Sequence, residues 1–160
     1  MKPIRVRENL FLGDAGTAKN ILNYVEDGEW NVKAIVSVGG GNHKDSAPED
    51  VVAYVHFGIL DKCGRKSVKQ MSAAMLEANL FISEQHSLNQ NVLVHCRGGM
   101  SRSPAVICCF LMYSEGLSWE EAVESIRRLR KIHPQPDFEQ AARIAIDETR
   151  HRVDRLTGKN

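Results

Sequence analysis

Residues 91–104 read Asn-Val-Leu-Val-His-Cys-Arg-Gly-Gly-Met-Ser-Arg-Ser-Pro, and the apolar run Ala105–Met112 follows directly. This stretch constrains the fold more than any other. The run Val92-Leu93-Val94 does not alternate apolar with polar residues, so it does not suit a strand with one face in water. A short, uniformly apolar segment fits a parallel strand covered on both faces. The segment after Pro104 is apolar on all sides, as a buried helix is. A buried strand that passes through a short glycine-containing loop into a buried helix belongs to a layered α/β architecture.

The rest of the chain agrees. The segments "NLFLG", Ala34–Val38 and Val51–Ile59 read as further strands. A helix is expected from Asp14, a good N-cap, to about Glu26. A longer helix is expected from Ser67, where "SVKQ" offers a capping box with Gln70. Its Met71, Met75, Ala78 and Ile82 recur at helical spacing and mark a core face, not a cofactor site. Ser103 and Pro104 read as N-cap and first residue of the helix that reaches about Glu115, with Gly116 as its stop. "SWEE" opens another helix at Ser118 with a second capping box. "HPQP" breaks the chain, and Asp137 is expected to cap a last helix. The expected architecture is α/β, a central mostly parallel sheet flanked by helices. No repeat or linker divides it, so residues 1–160 read as a single domain.

Composition excludes several functions. With 21 Lys and Arg against 20 Asp and Glu, the net charge is +1. That gives no strong field for nucleic acid or an anionic membrane, and neither is expected as a partner. No apolar run approaches the roughly 20 residues that span a bilayer, and no leader or lipidation signal is read at the ends. The four cysteines, Cys63, Cys96, Cys108 and Cys109, show no metal-ligand spacing. Reduced thiols are therefore expected, in the cytoplasm or also the nucleus, with no metal and no cofactor.

Cys96 falls at the carboxyl end of the buried strand, where open α/β sheets place ligands. Glycines in the loop Arg97-Gly98-Gly99-Met100-Ser101 allow backbone N–H groups to turn inward as an anion nest. The following helix N-terminus adds partial positive charge at the same point. Arg102 supplies a planar fork for two phosphate oxygens. A thiol in such a field loses its proton readily, at a pKa of about 3.5–7.5. A lone cysteine after a strand is usually a structural thiol, and a lone arginine six residues later is usually a surface charge. Their combination with the glycines, Ser103 and the helix is far rarer. Cys108 and Cys109 lie inside the apolar helix and read as core thiols.

"HCRGGMSRS" carries His-Cys-x5-Arg-Ser and resembles cysteine-dependent phosphatases of the dual-specificity branch, within the protein-tyrosine-phosphatase superfamily. "ENLFLGDAGTA" is similar to the opening of those domains, and "PQPDFEQ" to the start of their last helix. Gly98 departs from the alanine common in the branch. The resemblance implies a protein-tyrosine-phosphatase-like fold and a general acid on a loop about 30 to 35 residues before the cysteine. Asp61 in "HFGILDKCGR" matches that position. Asp45 and Asp50 precede the strand and read as loop charges. Asp137 follows the motif, where low-molecular-weight phosphatases keep their acid, but those enzymes carry their cysteine near the N-terminus.

The resemblance then implies two-step covalent catalysis. Cys96 attacks phosphorus, Asp61 protonates the leaving oxygen, and Asp61 next acts as base on the hydrolytic water. Arg102 and the amides of residues 97–102 bind the phosphoryl group, Ser103 bonds the sulfur, and His95 braces the loop. The expected substrates are phosphoproteins carrying phosphotyrosine and phosphoserine or phosphothreonine, because so compact a chain has little room for the loops that build a deep phosphotyrosine slot. Phosphoinositide, glucan or RNA phosphates are alternatives. Met100 stands where phosphoinositide-directed relatives often carry a base. A rhodanese-type sulfurtransferase and a non-catalytic phosphoprotein-binding domain are further alternatives. The former needs neither the upstream Asp nor the Arg-Ser ending, and the latter typically loses the nucleophile. Cys63 is the thiol expected to pair with Cys96 if any does on oxidation. The "RRLRK" run, Arg127–Lys131, is expected to form a solvated helix face.

Overall fold

The apolar strand at the centre of the sequence is also the centre of the sheet. The computed structural model describes residues 1–21, 30–39 and 51–158. The strands there are β1 (Ile4–Arg7), β2 (Leu10–Gly13), β3 (Val32–Val38), β4 (Ala53–Phe57) and β5 (Asn91–His95). They form one sheet in the order β1-β2-β5-β3-β4. β5 runs parallel to both β2 and β3, and β3 runs parallel to β4. Only β1, the edge strand, is antiparallel, paired with β2 through a tight turn. The sequence reading passed over β1, although Ile-Arg-Val-Arg alternates as a half-exposed edge strand should.

The helices are α1 (Ala15–Lys19), α2 (Arg65–Ser87), α3 (Arg102–Glu115), α4 (Trp119–Arg127) and α5 (Phe138–Thr157). Val92 and Val94 of β5 face one side of the sheet with Leu10, Leu12 and Val36. They share the main core with Met71, Met75, Ala78 and Ile82 of α2 and with α3 and α5. Leu93 faces the other side with Phe11 and Ile35, against Ala18, Ile21 and Trp30. Val92, Leu93 and Val94 are fully buried, each contributing roughly 1.5–3 kcal/mol of hydrophobic transfer for a side chain of this size. Residues Ser103–Met112 of α3 are all buried, packed against α2 and α5, as its uniform apolarity requires.

Several helix starts differ from expectation. Asp14 caps α1 with a capping box to Thr17, but the helix closes at Asn20. The part expected at 22–26 lies outside the described residues. α2 begins two residues before Ser67, with Gly64 as N-cap. The Ser67 hydroxyl donates to the Cys63 carbonyl at 3.3 Å, so the expected box with Gln70 does not form. α3 has Ser101, not Ser103, at its N-cap. The Ser118 box forms as read, with the hydroxyl accepting from Glu121 N and the Glu121 carboxylate accepting from Ser118 N. Gly116 closes α3 in the left-handed conformation.

Candidate active site

The register of β5 fixes where the loop begins. His95, its last residue, lies opposite Gly13 of β2 and Ser37 of β3. Cys96 therefore emerges at the carboxyl edge of the sheet between two parallel neighbours, facing the N-terminus of α3. Its thiol is buried, with 3% of the residue exposed. Cys96 Sγ accepts from Gly99 N at 3.2 Å and from the Ser103 hydroxyl at 3.1 Å. Gly99 reaches this position with φ of +65°, in the left-handed region that glycine occupies without strain.

Burial alone would push the Cys96 thiol up. The Ser103 hydroxyl, the Ser103 and Gly99 N–H groups and the Arg102 charge outweigh it, and together hold the pKa below the usual thiol value. Cys108 and Cys109 show the contrast. Burial, with the neighbouring Cys109 adding to it at Cys108, pushes each up to about 12. They are buried core thiols, as expected from their place in α3.

Of the two roles expected for Ser103, helix cap and partner of the sulfur, the structure shows the second: it is the second residue of α3, and its hydroxyl donates to Cys96 Sγ. No side chain caps α3, so its first N–H groups face the Cys96 side of the loop without a side-chain competitor. His95 lies buried with Nδ1 3.3 Å from the Cys96 carbonyl oxygen, where the Nδ1-protonated tautomer donates to the loop backbone.

Arg102 is steered from outside the signature. Its Nη1 donates to the Ile59 carbonyl at 2.9 Å, at the start of the loop that carries Asp61. Gly39, just beyond β3, passes so close that a Cβ there would lie 1.8 Å from Arg102 Nη1 and 2.5 Å from the Ile59 oxygen. Gly39 also has φ of +83°. Sequence pattern alone did not single out Gly39, although a glycine directly after a strand can mark a close approach.

Asp61 is exposed, and its Oδ1 accepts from the Ser101 hydroxyl at 2.6 Å. The acid loop and the Cys96 loop thus touch through side chains 40 residues apart. Asp45 and Asp50 lie outside the described residues. Asp137 stands at the N-cap of α5 but makes no capping bond. Its carboxylate instead accepts from Gly64 N at 2.7 Å, because the chain after Asp61 runs past it. The expectation that it caps the helix with its side chain is corrected accordingly.

The remaining loop residues divide by exposure. Arg97 and Gly98 are exposed, Gly99 and Ser101 buried, and Met100 lies between. The Arg97 carbonyl accepts from Ala15 N, the Gly98 carbonyl from Arg130 Nη2 at 2.9 Å, and the Met100 carbonyl from His133 N at 2.7 Å. Arg130 corrects the reading of "RRLRK" as wholly solvated: Arg127 and Arg128 are exposed, but the half-buried Arg130 braces the loop. Nothing in its local pattern separates it from its neighbours, because the chain turns out of α4 just before it. Cys63 is an exposed free thiol and donates to Gln135 Oε1 at 3.0 Å. Among the described residues, no group of three or more His, Cys, Asp or Glu side chains is placed to hold a metal ion, and no helix is long and apolar enough to cross a membrane.

Comparison with known proteins agrees with this architecture. The catalytic domain of dual specificity phosphatases, as a family, matches residues 10–145. The dual specificity protein phosphatase PHS1 of Arabidopsis thaliana is 30% identical over 147 residues, covering 91% of this chain and 15% of that protein. The chain spans a third or less of the length of the first curated relatives it matches. Among solved structures, that of DUSP15 superposes with a TM-score of 0.80 at 21% identity, covering 96% of each chain. PTPMT1 in complex with PI(5)P superposes with a TM-score of 0.76 at 20% identity, covering 96% of this chain and 99% of that one.

Proposed function

The chain belongs to the dual specificity phosphatase family, and on that premise we propose that it hydrolyses phosphotyrosine and phosphoserine or phosphothreonine in proteins through a phosphocysteine intermediate. The observation that carries the reading is the environment of Cys96 Sγ. A buried thiol there receives two hydrogen bonds beside a fixed arginine, with a carboxylate tethered to the same loop. A purely structural thiol has no use for groups that lower its pKa.

In the first step Cys96 thiolate attacks phosphorus, and an S–P bond forms as the P–O bond breaks. The departing oxygen takes a proton from Asp61. Arg102 and the loop N–H groups bind the three equatorial oxygens as charge redistributes over them. In the second step water attacks the phosphocysteine and delivers a proton to Asp61. The S–P bond breaks, and the Ser103 hydroxyl stabilises the returning thiolate. His95 holds the loop backbone and moves no proton. The chain's own residues supply every group this scheme needs.

Protein substrates are favoured over lipid headgroups by the loop itself, which offers Arg97 and, at Met100, an apolar side chain. The likeness to PTPMT1, solved with PI(5)P, makes phosphoinositides the principal competing substrate. The presence of Cys96, Arg102 and Asp61 together speaks against a sulfurtransferase and against a non-catalytic binding domain. The expected compartment remains the cytoplasm. Turnover compared on phosphotyrosine peptides, phosphothreonine peptides and phosphoinositides tests the reading. Both peptide classes are expected to be hydrolysed faster than the lipid, and a clear preference for the lipid would overturn the protein assignment.

A further inference from the structure

Two helices begin beside the acid loop, and neither uses its N-cap side chain to cap. Ser101 precedes α3 and Asp137 precedes α5, and both are residue types that ordinarily bond the first-turn N–H groups. Each instead reaches the segment Asp61–Gly64: the Ser101 hydroxyl donates to Asp61 Oδ1 at 2.6 Å, and the Asp137 carboxylate accepts from Gly64 N at 2.7 Å. Between them lies Gln135, flanked by Pro134 and Pro136, which restrict the backbone on either side. Gln135 N donates to Ser101 Oγ at 3.1 Å, its Nε2 reaches the Asp61 carbonyl at 3.5 Å, and its Oε1 accepts from Cys63 Sγ.

We propose that Ser101 and Gln135 form a clasp that sets Asp61 as proton donor, with Ser101 as a positioning residue. The proposal rests on the reading of Asp61 as the general acid. A serine hydroxyl has one proton and two lone pairs. Gln135 N–H occupies a lone pair, so the proton is directed to Asp61. Ser101 is buried, with 6% of its surface exposed, so water competes poorly for that proton. Oδ1 is thereby committed as an acceptor, and Oδ2 is the oxygen left to carry a proton to the leaving group. The loop is held closed before substrate arrives, which removes the need for a closing motion to assemble the acid with the nucleophile.

The test is a double-mutant cycle of Ser101→Ala and Asp61→Asn, read on an alkyl phosphate and on an activated aryl phosphate. Asp61→Asn alone is expected to slow the alkyl ester by about 10²–10⁴-fold and the aryl ester far less, because only the alkyl leaving group needs the proton. Ser101→Ala is expected to slow the alkyl ester roughly ten- to hundredfold, the size of a hydrogen bond to a charged group. The loss on the aryl ester should be clearly smaller than on the alkyl ester, and the pH dependence of Cys96 alkylation reports separately on the state of the phosphate loop. In the Asp61→Asn background, Ser101→Ala should add little. Gln135→Ala, which leaves the phosphate loop untouched, should show the same leaving-group bias more weakly. Equal losses on both esters from Asp61→Asn would refute the acid assignment itself. A normal Asp61→Asn signature, with additive or leaving-group-independent losses from Ser101→Ala, would refute the clasp alone.

Discussion

Gly39→Ala perturbs Arg102, the proposed phosphate-binding arginine, without touching the signature sequence. The new Cβ would lie 1.8 Å from Arg102 Nη1, 2.8 Å from its Cζ and 2.5 Å from the Ile59 carbonyl oxygen. The guanidinium must leave, breaking its 2.9 Å bond to Ile59, and the Ile59 backbone must shift as well, because its oxygen meets the same Cβ. The φ of +83° adds strain of roughly 1–2 kcal/mol for a residue with a side chain. At about 2–4 °C per kcal/mol for a chain of this size, that strain lowers Tm by roughly 2–8 °C. Loss of a positioned transition-state donor is typically worth about 10²–10³ in kcat. Gly98→Ala is the control. Its Cβ would meet nothing closer than Met100 Cγ at 3.7 Å, an ordinary contact, so activity should stay within about twofold. Steady-state kinetics on an aryl phosphate, with thermal melts of both variants, measures the pair. Gly39→Ala with near-wild-type kcat and Tm would refute the account of how Arg102 is held.

Cys96→Ser should abolish turnover yet retain phosphate or vanadate binding, measured by calorimetry, since the amides and Arg102 remain; more than about a tenth of wild-type activity would contradict nucleophilic catalysis by sulfur. Alkylation of Cys96 by iodoacetamide should persist below the ordinary thiol pKa of 9.0 and fall away only as pH drops through the lower folded value. Ser103→Ala removes the principal group opposing burial, so the midpoint of that curve should move upward. Cys108 and Cys109, pushed up to about 12, should stay unmodified at neutral pH by mass spectrometry. Thr149→Val deprives buried Asn79 Nδ2 of its 3.2 Å acceptor between α2 and α5, and should cost about 1–3 kcal/mol in denaturant unfolding while leaving the thiol titration unchanged.

What the sequence disclosed about the site was what a contiguous strand-loop-helix can encode. Val92–Val94 announced a buried strand, and the order Cys96, glycines, Arg102 and Ser103 announced a tight loop that wraps a thiol at the start of a helix. Asp61 was singled out only through resemblance, since an aspartate after a strand carries no local signal that sets it apart. What stayed hidden depends on distant approaches. Gly39 matters because Arg102 crosses it, Arg130 because the chain leaving α4 returns to Gly98, and Ser101 because Asp61 comes within reach of its hydroxyl. The helix starts at α2 and α3 were misread for a related reason. Ser67 and Ser103 fit local capping rules, but a carbonyl and a sulfur compete for their hydroxyls.

The proposed reaction passes through a covalent phosphocysteine at Cys96. Rapid acid quench of the enzyme turning over an activated aryl phosphate, followed by peptide mass spectrometry, tests it. A burst of released phenol is expected, matched by a phosphoryl group on the peptide containing Cys96. Sustained turnover with no phosphoryl group on Cys96, or with one on another residue, would contradict it.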